Sequence, residues 1–215
     1  MITIKYFLPL TIFILFNICN NSDIGKVIKL PEPKRQGGMS LFDALNIRQS
    51  SRDFNDSIKV NPEIISQALW SCYGIRQGNL RTVPSSKGWY PFTVYVFLEE
   101  GVFTYNPEGH ELTKVFDGDH REVTGTQTEI VSKARINFVF VADLNKPSIL
   151  PESKTARRTS AMADIGHVTM VLYLFATSYK MKGLARGSFD EAKILTFLGL
   201  NKEDYYIPLT FSLGY

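Results

Sequence analysis

The stretch VTMVLYLFA, Val168–Ala176, decides the fold. It is the middle of a longer segment, Ser160 to Lys182, which ends at Gly183 and predicts a single helix of about 35 Å. That middle is apolar on every side. A helix that is apolar all round has to be covered all round, and a domain of roughly 190 residues rarely encloses so long a helix alone. Dimerisation through this helix meets the requirement.

Helices and strands alternate on either side of it. Ser40 with Asp43 opens a first helix like a capping box, and Leu41, Ala44, Leu45 and Ile47 follow at helical spacing to Gln49. A second helix starts at Asn61 with Pro62 in its first position, and Gly74 stops it. Thr93–Leu98 and Arg135–Leu144 are rich in branched and aromatic residues and predict strands. Between them GVFTY, the turn Asn106-Pro107-Glu108-Gly109 and ELTKVF predict a hairpin with an exposed edge. After Gly187-Ser188-Phe189-Asp190 comes a last helix, Glu191–Leu198, and then the strand-like YYIPLTFSLGY. Strands separated by helices and a hairpin imply an α+β or α/β domain.

The composition is that of ordinary globular protein: 215 residues, 44% hydrophobic and 21% charged. Twenty-four basic against 21 acidic residues leave a net charge of +3, so no global field calls for a nucleic acid partner. The histidines at 110, 120 and 167 are too scattered for a metal site. Cys72 lies in the apolar pattern around Trp70 and reads as a small core residue.

Residues 1–19 (MITIKYFLPLTIFILFNIC) place Lys5 ahead of the apolar run Tyr6–Cys19, which is short for a bilayer span, and a polar NNSD follows. This pattern suggests a secretory signal or membrane-targeting segment and hence an exported, periplasmic or extracytoplasmic protein. A buried first strand or helix is the alternative, and Cys19 is either removed or lipidated. Residues 20–39, with Pro31, Pro33, Gly37 and Gly38, read as a linker, and the ordered domain as 40–215.

There is no G-x-S-x-G, P-loop, G-x-G-x-x-G or H-E-x-x-H. Arg48-Gln49-Ser50-Ser51-Arg52 at the end of the first helix instead offers two guanidinium groups and hydroxyls suited to an anion, although arginines near a helix C-terminus also suit the dipole. Four further segments add context. They are Pro84-Ser85-Ser86-Lys87-Gly88-Trp89-Tyr90-Pro91, Gln127, Asp164-Ile165-Gly166-His167, and Gly187-Ser188-Phe189-Asp190. In this order the chain from about residue 40 to 215 resembles the nitroreductase family of FMN-binding flavoproteins. It is most similar to the branch of oxazoline and thiazoline dehydrogenases that act on peptide heterocycles, where S-S/A-G-A-L-Y-P, A-G-H and G-G-F-D recur.

The resemblance implies an α+β homodimer with a mixed sheet flanked by helices, a long central helix at the interface, and FMN between the subunits. It implies that Arg48 holds the phosphate, that Gln49 and Ser50 lie along the phosphate and ribityl chain, and that Arg52 and Gln127 meet the pyrimidine edge. Ser85, Ser86 and Lys87 then match the loop laid against the partner's flavin, and the amides of Gly187 and Ser188 point at N5 and O4. No residue is implied as a catalytic acid or base, because the cofactor carries the hard step. The implied activity is two-electron transfer from a reduced donor such as NAD(P)H to a nitro compound or quinone. A ligand-binding protein that has lost turnover, or a peptide heterocycle dehydrogenase, are the alternatives. Departures are the lack of a basic residue after Lys202, Val171 where many relatives carry Asn, Ser188 for the second glycine, and the bulky Lys87-Gly88-Trp89. Lys87 or Arg186 is a substitute phosphate ligand on this reading. His167 is expected to be structural, Asp53 and Asp56 to be solvated or capping, and Lys154–Arg158 to form a solvated helix start.

Overall fold

The computed structural model describes residues 23–148 and 152–215, so the expected signal segment 1–19 lies outside the described residues. In chain order the elements are β1 (Val27–Lys29), α1 (Leu41–Ile47), α2 (Pro62–Tyr73), β2 (Ile75–Arg76), β3 (Leu80–Arg81), β4 (Phe92–Leu98), β5 (Gly101–Asn106) and β6 (Glu111–Asp117). There follow α3 (Thr128–Lys133), β7 (Ile136–Asp143), α4 (Lys154–Ser178), β8 (Lys182–Arg186), α5 (Glu191–Phe197), β9 (Tyr205–Tyr206) and β10 (Thr210–Gly214). The expected caps are present: Ser40 Oγ accepts from the Asp43 amide at 3.2 Å, and Asn61 Oδ1 accepts from Ile64 at 3.0 Å. Each supplies an acceptor to an amide that the helix itself leaves unbonded.

The main sheet runs β1-β6-β5-β4-β7-β10-β8, with β9 added on β7. Every ladder is antiparallel; the parallel pairing among the described residues is a single bridge between Ser50 and Gly183. The reason is β10. Strands β7 and β8, joined through α4, run parallel, but the last strand of the chain fits between them and is antiparallel to both. Strand β7 is buried along nearly its whole length, as its unbroken INFVFVAD requires of a strand covered on both faces. Ile136, Phe138, Phe140 and Ala142 face a core shared with α2 and α4, whereas Val139 and Val141 face a second core built with α5.

Helix α4 buries one stripe, including Ala161, Ile165, Val168, Leu172 and Phe175, and leaves Met162, Ala163, Gly166 and Met170 outward. Within one chain, then, its outward side is bare from Met162 to Met170, whereas Val171–Ser178 is buried or half-buried all round, so of the apolar stretch Val168–Ala176 only Met170 is exposed. The helix also ends earlier than the sequence pattern suggests. Lys180 takes a left-handed φ of 55°, its amide bonds Thr177 O at 3.1 Å, and the Met181 amide bonds Ala176 O at 2.7 Å. That is a Schellman termination built on a lysine instead of the expected Gly183. Gly183 serves close packing: a Cβ there would lie 2.8 Å from the Phe211 ring and 3.2 Å from Ala176 Cβ. At its start the helix reaches back to Lys154, capped by Ser153; Lys154 is exposed as expected, but the arginines are half-buried. Arg157 lies over the buried Trp89 ring at 5.4 Å and Arg158 over Tyr206 at 4.7 Å.

The segment read as a linker is tied down from residue 23 onward. Strand β1 pairs with β6 over Thr113–Glu111, so the hairpin edge is partly covered and not exposed as expected, and Leu30 is buried. Leu30 contributes about 1.5–3 kcal/mol of apolar burial. Gln67 of α2 grips both the amide and the carbonyl of Lys34. His110 joins this arm to the core: Nε2 meets Ser66 Oγ at 2.8 Å and Pro31 O at 3.2 Å, and Nδ1 meets Tyr105 OH at 2.9 Å. Burial lowers the pKa of His110 below 6.5, with Lys29 and Arg35 adding to the effect and Pro31 O and Glu32 opposing it. The folded state therefore binds fewer protons there than the unfolded chain, so this contribution is present above pH 6.5 and is lost as pH falls through the lowered folded value. Between pH 7.5 and 5 the wild type should lose more Tm than His110→Gln; equal losses in a calorimetric pH series would contradict the assignment.

Candidate functional site

Strand β8 is the element on which the predicted site residues converge. At its start, the turn after α1 lies alongside it: the Ser51 amide donates to Gly183 O at 3.1 Å, and Ser50 bridges Gly183. Tyr173 of α4 locks this contact. Its hydroxyl meets Ser50 Oγ at 2.9 Å and accepts from the Ala185 amide at 2.8 Å, while the Arg48 guanidinium lies 5.2 Å from its ring centroid. Arg48 caps α1, and neither Arg48 nor the exposed Arg52 pairs with a carboxylate among the described residues. Gln49 is exposed beside them. Asp53 is a surface partner of Lys182 at 3.6 Å.

At the far end of β8 the chain opens into exposed Gly187 and Ser188, about 13 Å from Gly183 at strand rise. The Thr126 amide donates to Ser188 O at 3.1 Å and the two hydroxyls meet at 2.9 Å, which brings the exposed Gln127 beside them. A Cβ on Gly187 would meet only Leu209, at 3.9 Å. The protein's own packing therefore does not demand glycine there, and the space above the backbone stays open to a ligand.

Arg186 does not serve as a phosphate ligand. It is buried, and its guanidinium donates to Ser212 Oγ at 3.0 Å, Thr124 O at 2.9 Å, Thr124 Oγ1 at 3.3 Å and Asn137 Oδ1 at 3.4 Å. With no carboxylate beside it, burial lowers its pKa to about 10. Its task is structural: it anchors the turn that presents Gln127, and it packs so tightly that a Cβ on Gly125 would fall 1.9 Å from Nη1. Lys87 is likewise engaged, in an ion pair with Glu152.

The third group stands apart. Ser85 Oγ donates to Asp164 Oδ2 at 2.5 Å and accepts from the Tyr90 amide at 2.8 Å, while the Ser86 amide donates to Asp164 Oδ1 at 2.8 Å. The Ser85 hydroxyl is consumed inside the loop, and that of Ser86 remains available to a ligand. Asp164 lies nine residues before Tyr173 on α4, about 13.5 Å along the axis. One chain thus gathers Arg48, Ser50 and their neighbours at one end of β8 and Gln127, Gly187 and Ser188 at the other, and holds Ser85–Lys87 elsewhere. Tyr173 and Asp164 were the residues whose roles the sequence did not disclose. Asp164 carried a signal, a lone acid on the buried stripe between Ala161 and Val168; Tyr173 is indistinguishable there from core.

Residues 45–215 match the nitroreductase family, and the chain belongs to it. A nitroreductase of Ralstonia eutropha with a solved structure is 32% identical, covering 87% of this chain and 88% of its own at a TM-score of 0.79. A curated nitroreductase of Methanocaldococcus jannaschii is 26% identical over 81% of this chain and 90% of that protein. Two other solved structures share the fold at 16% identity. One, from Exiguobacterium sibiricum, is a complex with FMN, with 83% and 89% of the two chains covered and a TM-score of 0.60. The other is from the Escherichia coli microcin synthetase McbBCD complex with truncated pro-MccB17 bound, with 98% and 84% covered and a TM-score of 0.66. The protein is accordingly an oxidoreductase of the flavin-using class that this family comprises.

Tyr173→Phe keeps the ring under Arg48 but strands the Ala185 amide. It should cost about 1–2 kcal/mol of stability, measured by urea denaturation; an unchanged midpoint would show that the hydroxyl holds nothing.

Proposed function

We propose that the protein is a dimeric, FMN-dependent oxidoreductase that passes two electrons, as hydride, from a reduced donor to an organic acceptor. The observation that carries this reading is the open end of β8 in a chain of this family: exposed Gly187 and Ser188 beside Gln127, with unneutralised arginines at the strand's other end. Bound FMN supplies the two-electron chemistry. The chain's own residues bind and orient it. Arg48, with Gln49 and Ser50, offers a guanidinium and polar groups to a phosphate and sugar chain, and these are strong, charge-assisted partners for a phosphomonoester. Arg52 and Gln127 are types that stabilise negative charge at a pyrimidine edge. The backbone amides of Gly187 and Ser188 would donate hydrogen bonds to a ring edge, a reading supported by the open space at Gly187.

A second subunit completes the reading. The outward stripe of α4 (Met162, Ala163, Gly166, His167, Met170) and the exposed Leu41, Phe42, Leu45 and Ile47 of α1, 81% exposed at Phe42, are largely apolar surfaces that one chain leaves uncovered. Pairing two such faces would bring Ser86 and Lys87 of one subunit to the flavin of the other. The apolar run Tyr6–Cys19 supports an extracytoplasmic location, where the donor would be a reductant other than cytoplasmic NAD(P)H.

The purified full-length chain should be a yellow dimer containing one FMN per subunit that bleaches on chemical reduction. Arg48→Ala and Arg52→Ala should each weaken FMN binding by roughly ten- to a hundredfold, read by flavin fluorescence. A colourless protein that takes up no added FMN would overturn the assignment.

A further inference from the structure

We propose that Asp164 is a positioning residue for the flavin, acting through the loop Ser85–Lys87. The inference rests on the flavin reading above.

Among the described residues Asp164 is the one carboxylate in the buried core, 2% exposed, and no cation pairs with it. A buried carboxylate needs hydrogen bonds in place of solvent, and a helix selected for packing alone would carry an apolar side chain at that position on α4. What the charge obtains is the loop. One oxygen takes the Ser85 hydroxyl at 2.5 Å and the other the Ser86 amide at 2.8 Å. Ser85 Oγ in turn takes the Tyr90 amide at 2.8 Å, so the carboxylate reaches both ends of the turn, one directly and one through Ser85.

The turn needs that restraint. Lys87 and Tyr90 hold left-handed φ values of 53° and 46°, which non-glycine residues adopt at a cost and keep only where the surroundings impose it. The internal bonds Gly88 N to Ser85 O at 3.1 Å and Trp89 N to Ser86 O at 3.0 Å close the turn but do not attach it to the body. Its far end is attached by Trp89 Nε1 to Lys146 O at 3.1 Å, by Lys146 Nζ to Tyr90 O at 2.6 Å and by the Lys87–Glu152 ion pair. Its serine end is attached by Asp164. Asp164 lies on the face of α4 opposite the outward stripe and fixes the loop against the helix that the second subunit is proposed to cover. The Ser86 hydroxyl and the backbone of the turn are thereby aimed, while Ser85 is withheld from the ligand.

Asp164→Asn is nearly the same shape, has no charge, and has one acceptor oxygen where two are required. It should weaken FMN binding about tenfold, by more than its change in Tm accounts for, and speed hydrogen exchange at the Ser86 or Tyr90 amide. Ser85→Ala tests the same chain from the other side, and the double variant should bind FMN no more weakly than Asp164→Asn alone. Should Asp164→Asn bind FMN like the wild type, or lose affinity only in step with a fall in Tm, the positioning role is overturned and the flavin assignment survives. Should the wild type take up no FMN, the flavin assignment fails and this role with it, and faster exchange in the variant would then mark Asp164 as a loop anchor alone.

Discussion

Helix α4 has to serve two surfaces at once, and most of the molecule follows from that. Its inner stripe is buried on the sheet, where Gly183 lets β8 approach within contact of Ala176 and Phe211 sits against the same glycine. Its outer stripe, rich in small and sulfur-bearing residues, has no cover in one chain. The inner contact places β8 and β10 in the sheet. In the dimer proposed above, the outer face is where a second chain would complete the site.

The site borders are held by buried polar groups whose solvation is exchanged for precise hydrogen bonds. Arg186 sits among Ser212, Asn137 and Thr124 and carries the turn before Gln127. Asn137 also donates to Val131 O at 2.7 Å, which ties α3 to β7 behind the same turn. Asp164 holds the serine loop. Tyr173 joins α1, α4 and β8 with one hydroxyl. None of these need touch a ligand, yet each sets the place of a residue that could. Buried networks of this kind tolerate little change because any lost partner leaves a desolvated group behind.

Local signals in the chain were reliable where the physics is local. The Ser40 and Asn61 caps, the Asn106–Gly109 hairpin turn and the buried β7 depend on neighbours within a few residues, and all are found in place. Misreadings arose where distant parts compete. The helix stop moved to Lys180 because packing of β8 on α4 tolerates a strained lysine there. Residues 27–29, which look like linker, become a strand because β6 offers them an open edge. Arg186 looks like a spare phosphate ligand and is instead interior, because β8 points it inward between β10 and the Thr124 turn.

By itself the sequence determined the type of the longer elements though not of β1, α3 or β8, the apolar excess of the long helix, the family motifs and the side chains able to hold an anion. These are properties of composition and short-range spacing. Tertiary structure alone decided that the ten candidate residues divide among three places, with β8 linking two of them and Asp164 holding the third. Which side chains meet depends on strand order and helix register across more than a hundred residues, and no local pattern encodes that geometry.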